Sequence, residues 1–237
     1  MGPVIVFLII FAALSAQGSG QKDAGQWLEE GLALADSSNY ADAIECYDQA
    51  LKLDPDLAQA RSSKGDAQYL QGGYDQSLKS YDKALEIDDS LAAAWQGKGG
   101  TLAAKGDHEN AIKCYDMAMK LGPPLAGFCL CLKGQSQAAL GKSAEAEATF
   151  TEALKAADEE LNANPNVATC WGTKGAVLAA LGRHDEALKC YDRALEINPR
   201  DAVVTYYRGL SLQVLGKDDE SRDAIEKAGE LGYKAPG

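Results

Sequence analysis

Apolar side chains recur along this chain at spacings of three and four, the period of an α-helix seen from one face. In "SLKSYDKALEIDD", residues 77 to 89, the residues Tyr81, Ala84 and Leu85 form one such stripe. The block returns as "AIECYDQALKLDP" at 43 to 55, "AIKCYDMAMKLGP" at 111 to 123 and "ALKCYDRALEINP" at 187 to 199. A second stretch of good helix formers precedes each block, and a short segment such as Gly72-Gly73 lies between the two. That order predicts two helices joined by a tight turn. Pro55, Pro123 and Pro199 end the second helix, since proline lacks the N–H that the next turn would need.

One glycine marks each unit. Gly31, Gly65, Gly99, Gly134, Gly175 and Gly209 are separated by 34, 34, 35, 41 and 34 residues, so six units are expected. A period of this length means stacked supersecondary units, each burying its apolar face only against its neighbours. The units run over about 24–57, 58–91, 92–126, 127–167, 168–201 and 202–235, within a repeat domain of residues 21–237.

The pattern resembles the tetratricopeptide repeat. Its signature falls on Trp27, Gly31, Ala43, Tyr47, Ala50 and Pro55 in the first unit. In the third it falls on Trp95, Gly99, Ala111, Tyr115, Ala118 and Pro123, and in the fifth on Trp171, Gly175, Ala187, Tyr191, Ala194 and Pro199. All three tryptophans of the chain occupy one repeat position. The resemblance implies an all-α, right-handed superhelical solenoid whose first helices line a concave face. It further implies a non-enzymatic scaffold that binds a peptide or helix of a partner protein there. The family's groove positions, carried onto this chain, include Leu28, Leu32, Gln59, Ser62, Asp66, Tyr69, Gln96, Gln135, Tyr206 and Gln213. Leu28 and Leu32 stand where some members place the Lys and Asn that clamp a chaperone's terminal carboxylate, so that activity is not expected.

Composition narrows the partners. The net charge of −12 opposes approach to nucleic acid or anionic lipid. The apolar run from Pro3 to Ala16 reads as a signal peptide or an N-terminal membrane anchor, with a short linker to residue 20. It directs the chain to export or to a membrane, and it is the one segment through which membrane association is expected. The alternative is a cytoplasmic protein with a misplaced start, because the basic residues that usually precede such a run are missing.

Candidate chemistry is sparse. No paired carboxylate pocket, nucleophile and base, or metal cluster stands out, so neither an enzyme nor a cofactor is expected. His108 and His184 share the position of Tyr40 and Tyr74 just after the inter-helix turn, which reads as packing. Cys46, Cys114 and Cys190 share another position, too far apart in the stack for a disulfide; Cys129, Cys131 and Cys170 complete the six, and no disulfide is expected. Gly141-Lys142-Ser143 has the ending of a phosphate-binding loop, but Ser136 stands where its first glycine belongs and a helix precedes it. By repeat register it is the turn between the two helices of unit four.

Three departures from the repeat carry expectations of their own. Lys64, Lys98, Lys133, Lys174 and Arg208 stand directly before the repeat glycine, and Asp48, Asp82, Asp116 and Asp192 follow the aromatic of the second helix. A ladder is expected in which Lys64 reaches Asp48, Lys98 reaches Asp82, Lys133 reaches Asp116 and Arg208 reaches Asp192. Unit four carries seven extra residues in "EALKAADEELNANPN", about two turns, expected as a helix projecting beyond the stack with Asp158, Glu159 and Glu160 at its tip. That tip is either a partner contact or a tolerated extension. Unit six puts Arg222 and Gly229 where other units have Ile or Leu, as suits a cap. The alternative to groove binding is an envelope assembly or oligomerisation component acting through the end surfaces of the solenoid, with end-to-end pairing into a homo-oligomer.

Overall fold

The computed structural model describes residues 22–123 and 125–233, which form twelve helices and, among those residues, no strand. They pair as α1 Ala24–Asp36 with α2 Tyr40–Leu53, α3 Ala58–Leu70 with α4 Tyr74–Ile87, and α5 Ala92–Ala104 with α6 His108–Leu121. The second half pairs α7 Ala126–Ala139 with α8 Ser143–Ala163, α9 Ala168–Ala180 with α10 His184–Ile197, and α11 Ala202–Val214 with α12 Asp218–Glu230. The expected signal or anchor segment lies outside the described residues. Among the described ones no helix is long and apolar enough to cross a membrane.

The turns follow from one backbone requirement. Gly72, Gly106, Gly141, Gly182 and Gly216 all take φ between 73° and 82°, a left-handed conformation that glycine adopts without a Cβ clash. The residue after each donates its N–H five residues back, as Lys142 does to the Gln137 carbonyl at 3.0 Å. Gly141 is therefore a helix-ending residue, and Gly141-Lys142-Ser143 is a turn of the repeat.

Glycine also sets the packing. A Cβ on Gly31, Gly99 or Gly175 would sit 2.5, 2.7 or 2.5 Å from the ring of Tyr47, Tyr115 or Tyr191. Only a bare backbone lets each aromatic of the second helix lie across the first helix of its own unit. Alanines at the crossing points, including Ala43, Ala84, Ala111 and Ala187, are fully buried. Tyr81 goes further and inserts between Gly65 and Gly97 of the next unit. The first helices of successive units also touch one another, whereas their second helices do not. The stack must then curve with the first helices inside and the second helices outside.

All four expected rungs of the ladder form, with Nζ to Oδ1 distances of 2.5 Å for Lys64–Asp48, 2.6 Å for Lys98–Asp82 and 2.6 Å for Lys133–Asp116, and Arg208 Nε 2.7 Å from Asp192. The extra residue before unit four is taken up in α7, which has 14 residues where the other first helices have 13, and Lys133 keeps its partner. Lys98 and Lys174 also lie over the rings of Trp95 and Trp171. Because the rungs are part-exposed, Lys98→Met is expected to cost no more than about 1 kcal/mol in a urea titration. That difference should shrink in about 1 M salt. A salt-independent loss of several kcal/mol would show that the ladder carries the fold.

The extended helix does not project. In α8 the added turns bury Ala157 and Leu161, and Gly127 of α7 lies against the Ala157 backbone, where a Cβ would meet its nitrogen at 3.0 Å. Asp158, expected at a free tip, is a fifth rung with Lys174 at 2.6 Å. Glu160 accepts the Gly127 N–H at 3.0 Å and the Cys170 thiol at 3.5 Å. The expectation failed because seven residues turn a helix through nearly two whole turns. Phe150 keeps the register with its own unit, while Asp158 gives that same register to the next. Units five and six are thus stepped along α8 by about 10 Å relative to unit four.

Candidate functional site

The described residues contain no group of three His, Cys, Asp or Glu side chains able to hold a metal ion. His184 Nδ1 meets the Ser211 hydroxyl at 3.3 Å, while His108 Nδ1 is buried without a partner; both rings pack at the start of a second helix. The six cysteines are buried and unpaired, and burial raises every thiol pKa, to about 12 at Cys129 and Cys131. At neutral pH they are protonated, unreactive core residues.

What the fold does build is a concave wall from α3, α5, α7, α9 and α11. Of the residues assigned to it from the sequence, Leu32, Gln59, Asp66, Tyr69, Gln135 and Gln213 are exposed, and Gln96 and Tyr206 are half-buried. Leu28 and Ser62 are not on the surface, at 8% and 7% exposure, and Leu28 belongs to the core of unit one. Their periodicity matched the groove positions, but each points at the helix packed beside it.

The wall is lined with tyrosine. Tyr69 tilts against Tyr74 with centroids 5.6 Å apart, and Tyr206 stacks on Tyr233 at 4.4 Å and meets Tyr207 edge-on at 5.9 Å. These two groups come from units two and six, and the Tyr69 phenol contributes to the raised pKa of both Tyr207 and Tyr233. Burial, then the phenols of Tyr207, Tyr206 and Tyr69, push Tyr233 up to about 12. Tyr207 is raised by burial and then by Cys131, Tyr69 and Tyr206. The curvature of the stack has brought residues about 140 positions apart into electrostatic reach.

Asp66 is the acidic group of this wall. It is open to water along the groove but walled by protein elsewhere, and that enclosure raises its pKa to about 6 although the Tyr81 hydrogen bond acts in the opposite direction. Tyr81, passing between Gly65 and Gly97, donates its hydroxyl to Asp66 Oδ1 at 2.5 Å. Asp66 therefore gains its charge as pH rises through about 6.

Tyr74, Tyr207 and Tyr233 were not singled out from the sequence. Tyr74 begins a second helix and Tyr233 lies beyond α12. Each meets a tyrosine of the first helix of its own unit, a contact between positions that the repeat signature does not mark.

Comparison with known proteins agrees with this architecture. Models described as tetratricopeptide repeat match residues 28–92, 71–126, 128–200 and 173–232. No curated protein matches at a significant level. Among solved structures, the chain is similar to TTC0263, a thermophilic TPR protein of Thermus thermophilus, at 21% identity and a TM-score of 0.64, over 80% of this chain and 99% of that one. It is also similar to a chain of the APC/C hetero-tetramer Cut9-Hcn1, at 17% identity and a TM-score of 0.65, over 95% of this chain and 43% of that one. A third, YrrB, described as a TPR protein with an unusual peptide-binding site, aligns at 22% identity over 80% of this chain and 93% of that one, with a TM-score of 0.44. At such identities the likeness is one of fold. The family models, however, cover most of the sequence, and the glycine, alanine and aromatic positions they describe are those that pack the helices here: the chain belongs to the tetratricopeptide repeat family.

Proposed function

We propose that this chain is a non-enzymatic protein–protein interaction scaffold that holds an extended peptide, or one face of a helix, of a partner protein on its concave wall. The observation that carries this reading is the tyrosine lining, with Tyr69 against Tyr74 and Tyr206 against Tyr207 and Tyr233, and Asp66 one helical turn before Tyr69. Tyrosine offers a large amphipathic contact at low entropic cost. The exposed amides of Gln59, Gln135 and Gln213, with Gln96 between them, can donate to and accept from a peptide backbone at the same time. Assembly through the ends of the solenoid has less support, because the outermost helix α12 turns Arg222 and Asp219 to solvent as an ion pair.

Peptides selected by display against the full chain test the reading. Tyr69→Ala and Tyr206→Ala are each expected to weaken the selected peptide by about tenfold or more, and Lys113→Ala on the outer helix α6 to leave it unchanged. Equal affinity in both tyrosine variants would rule the concave wall out. A partner segment bearing Lys or Arg should also bind more tightly above pH 6 than below, as Asp66 ionises.

A further inference from the structure

Between units one and two the outer face opens into a notch of about 390 Å³. Five cations line it against one carboxylate: Lys52 from α2, Arg61 and Lys64 from α3, Lys79 and Lys83 from α4, with Asp48. Such a concentration is unexpected on a chain of net charge −12. Two of the five are committed. Lys64 pairs with Asp48 at 2.5 Å, and Arg61 donates Nε and Nη2 to the Pro55 carbonyl at 3.1 and 2.6 Å. The second of these replaces the bond that Trp95 and Trp171, at the same repeat position, make to a carbonyl six residues back.

Lys52, Lys79 and Lys83 have no carboxylate within 4.0 Å among the described residues. Of the carboxylates of α4, Asp75 is engaged with Lys105 and Asp82 with Lys98, and Glu86, three residues after Lys83, forms no ion pair with it. The architecture does not demand these three lysines. In the corresponding notch between units five and six the ladder pair is kept as Arg208 and Asp192, but Glu196 and Asp223 replace Lys52 and Lys79, and four carboxylates face two cations. Glu86 and Asn162 occupy the Lys52 position in two of the other notches. Lys120 keeps that position between units three and four, and Lys189 and Arg193 keep the Lys79 and Lys83 positions in unit five, but only between units one and two are all three positions basic.

We propose that the notch is a binding site for a phosphate-bearing anion, carried either by a free polyphosphate or by a phosphorylated segment of a protein. A phosphate brings nearly two charges and several acceptor oxygens to a compact group. Three uncompensated ammonium groups around a small volume match it better than they match a single carboxylate. The site lies on the outer helices, so it leaves the concave wall free and does not depend on what binds there.

Calorimetric titration of the full chain with inorganic tripolyphosphate, at an ionic strength of about 0.15 M, tests the proposal. Saturable one-to-one binding is expected, weakened about tenfold or more by Lys79→Gln combined with Lys83→Gln. Lys189→Gln with Arg193→Gln, the same positions in unit five and the same change of net charge, should leave it intact. A doubly phosphorylated serine peptide, run beside its unphosphorylated form, separates the sources: tighter binding than tripolyphosphate assigns the site to a phosphoprotein, weaker binding to a free polyphosphate. Circular dichroism checks that each variant keeps its helices. No saturable binding of either probe, or an equal loss in both double variants, would overturn the proposal.

Discussion

Replacing Tyr115 by alanine is expected to lower the free energy of unfolding by about 3–5 kcal/mol. The ring is fully buried at the middle of the stack, across Gly99 and against the core that includes Ala111, Ala118 and Cys129. Removing it leaves a cavity that neighbouring alanines and glycines are too short to fill. In a stack stabilised by nearest-neighbour contacts, such a gap also weakens the coupling between units three and four. Urea unfolding followed by circular dichroism should therefore show a lower midpoint and a broader transition. Tyr115→Phe separates ring from hydroxyl. That hydroxyl approaches the Ser136 side chain without forming a hydrogen bond, so its loss should be neutral or stabilising. Tyr81→Phe should be costly by comparison, because the Tyr81 hydroxyl is bonded to Asp66 at 2.5 Å. A Tyr115→Ala protein within about 1 kcal/mol of the parent would contradict the packing described here.

The second large effect lies in the lengthened helix. Ala157→Asp is expected to destabilise units five and six by about 3 kcal/mol or more. Ala157 is fully buried, and the Gly127 backbone closes over it with no room for a carboxylate or for water to solvate it. Hydrogen exchange is the suitable readout, since α9 to α12 should lose protection before α1 to α6 do. Glu159→Ala, two positions on and exposed, should leave exchange unchanged. Equal tolerance of both substitutions would mean that these turns stand free of the stack after all.

Most of the fold was legible because the repeat states each packing rule several times. Gly31, Gly65, Gly99, Gly134 and Gly175 each precede an aromatic by sixteen residues, and each pair is a contact in three dimensions. The ladder was legible for the same reason. It failed to include Asp158 because the insertion shifts that residue seven places, hiding it from alignment by repeat while leaving it on the correct side of the helix. The groove was legible only in part. Leu28 and Ser62 face inward to the core, and which side of a first helix meets solvent depends on how closely its neighbours stack. The tyrosine pairs were not read because Tyr74 and Tyr233 lie outside the first helices that supply the groove positions. The lysines of the outer notch are plain in the sequence, but only the packing of α2, α3 and α4 gathers them around one space.

The central claim is that a partner segment lies on the concave wall, and photo-crosslinking addresses it most directly. A photoreactive residue at Gln135, exposed on the inner helix α7, should crosslink a display-selected peptide, and one at Lys113 on the outer helix α6 should not. Efficient crosslinking from Lys113 with none from Gln135 would place the partner on the outer face and contradict the account.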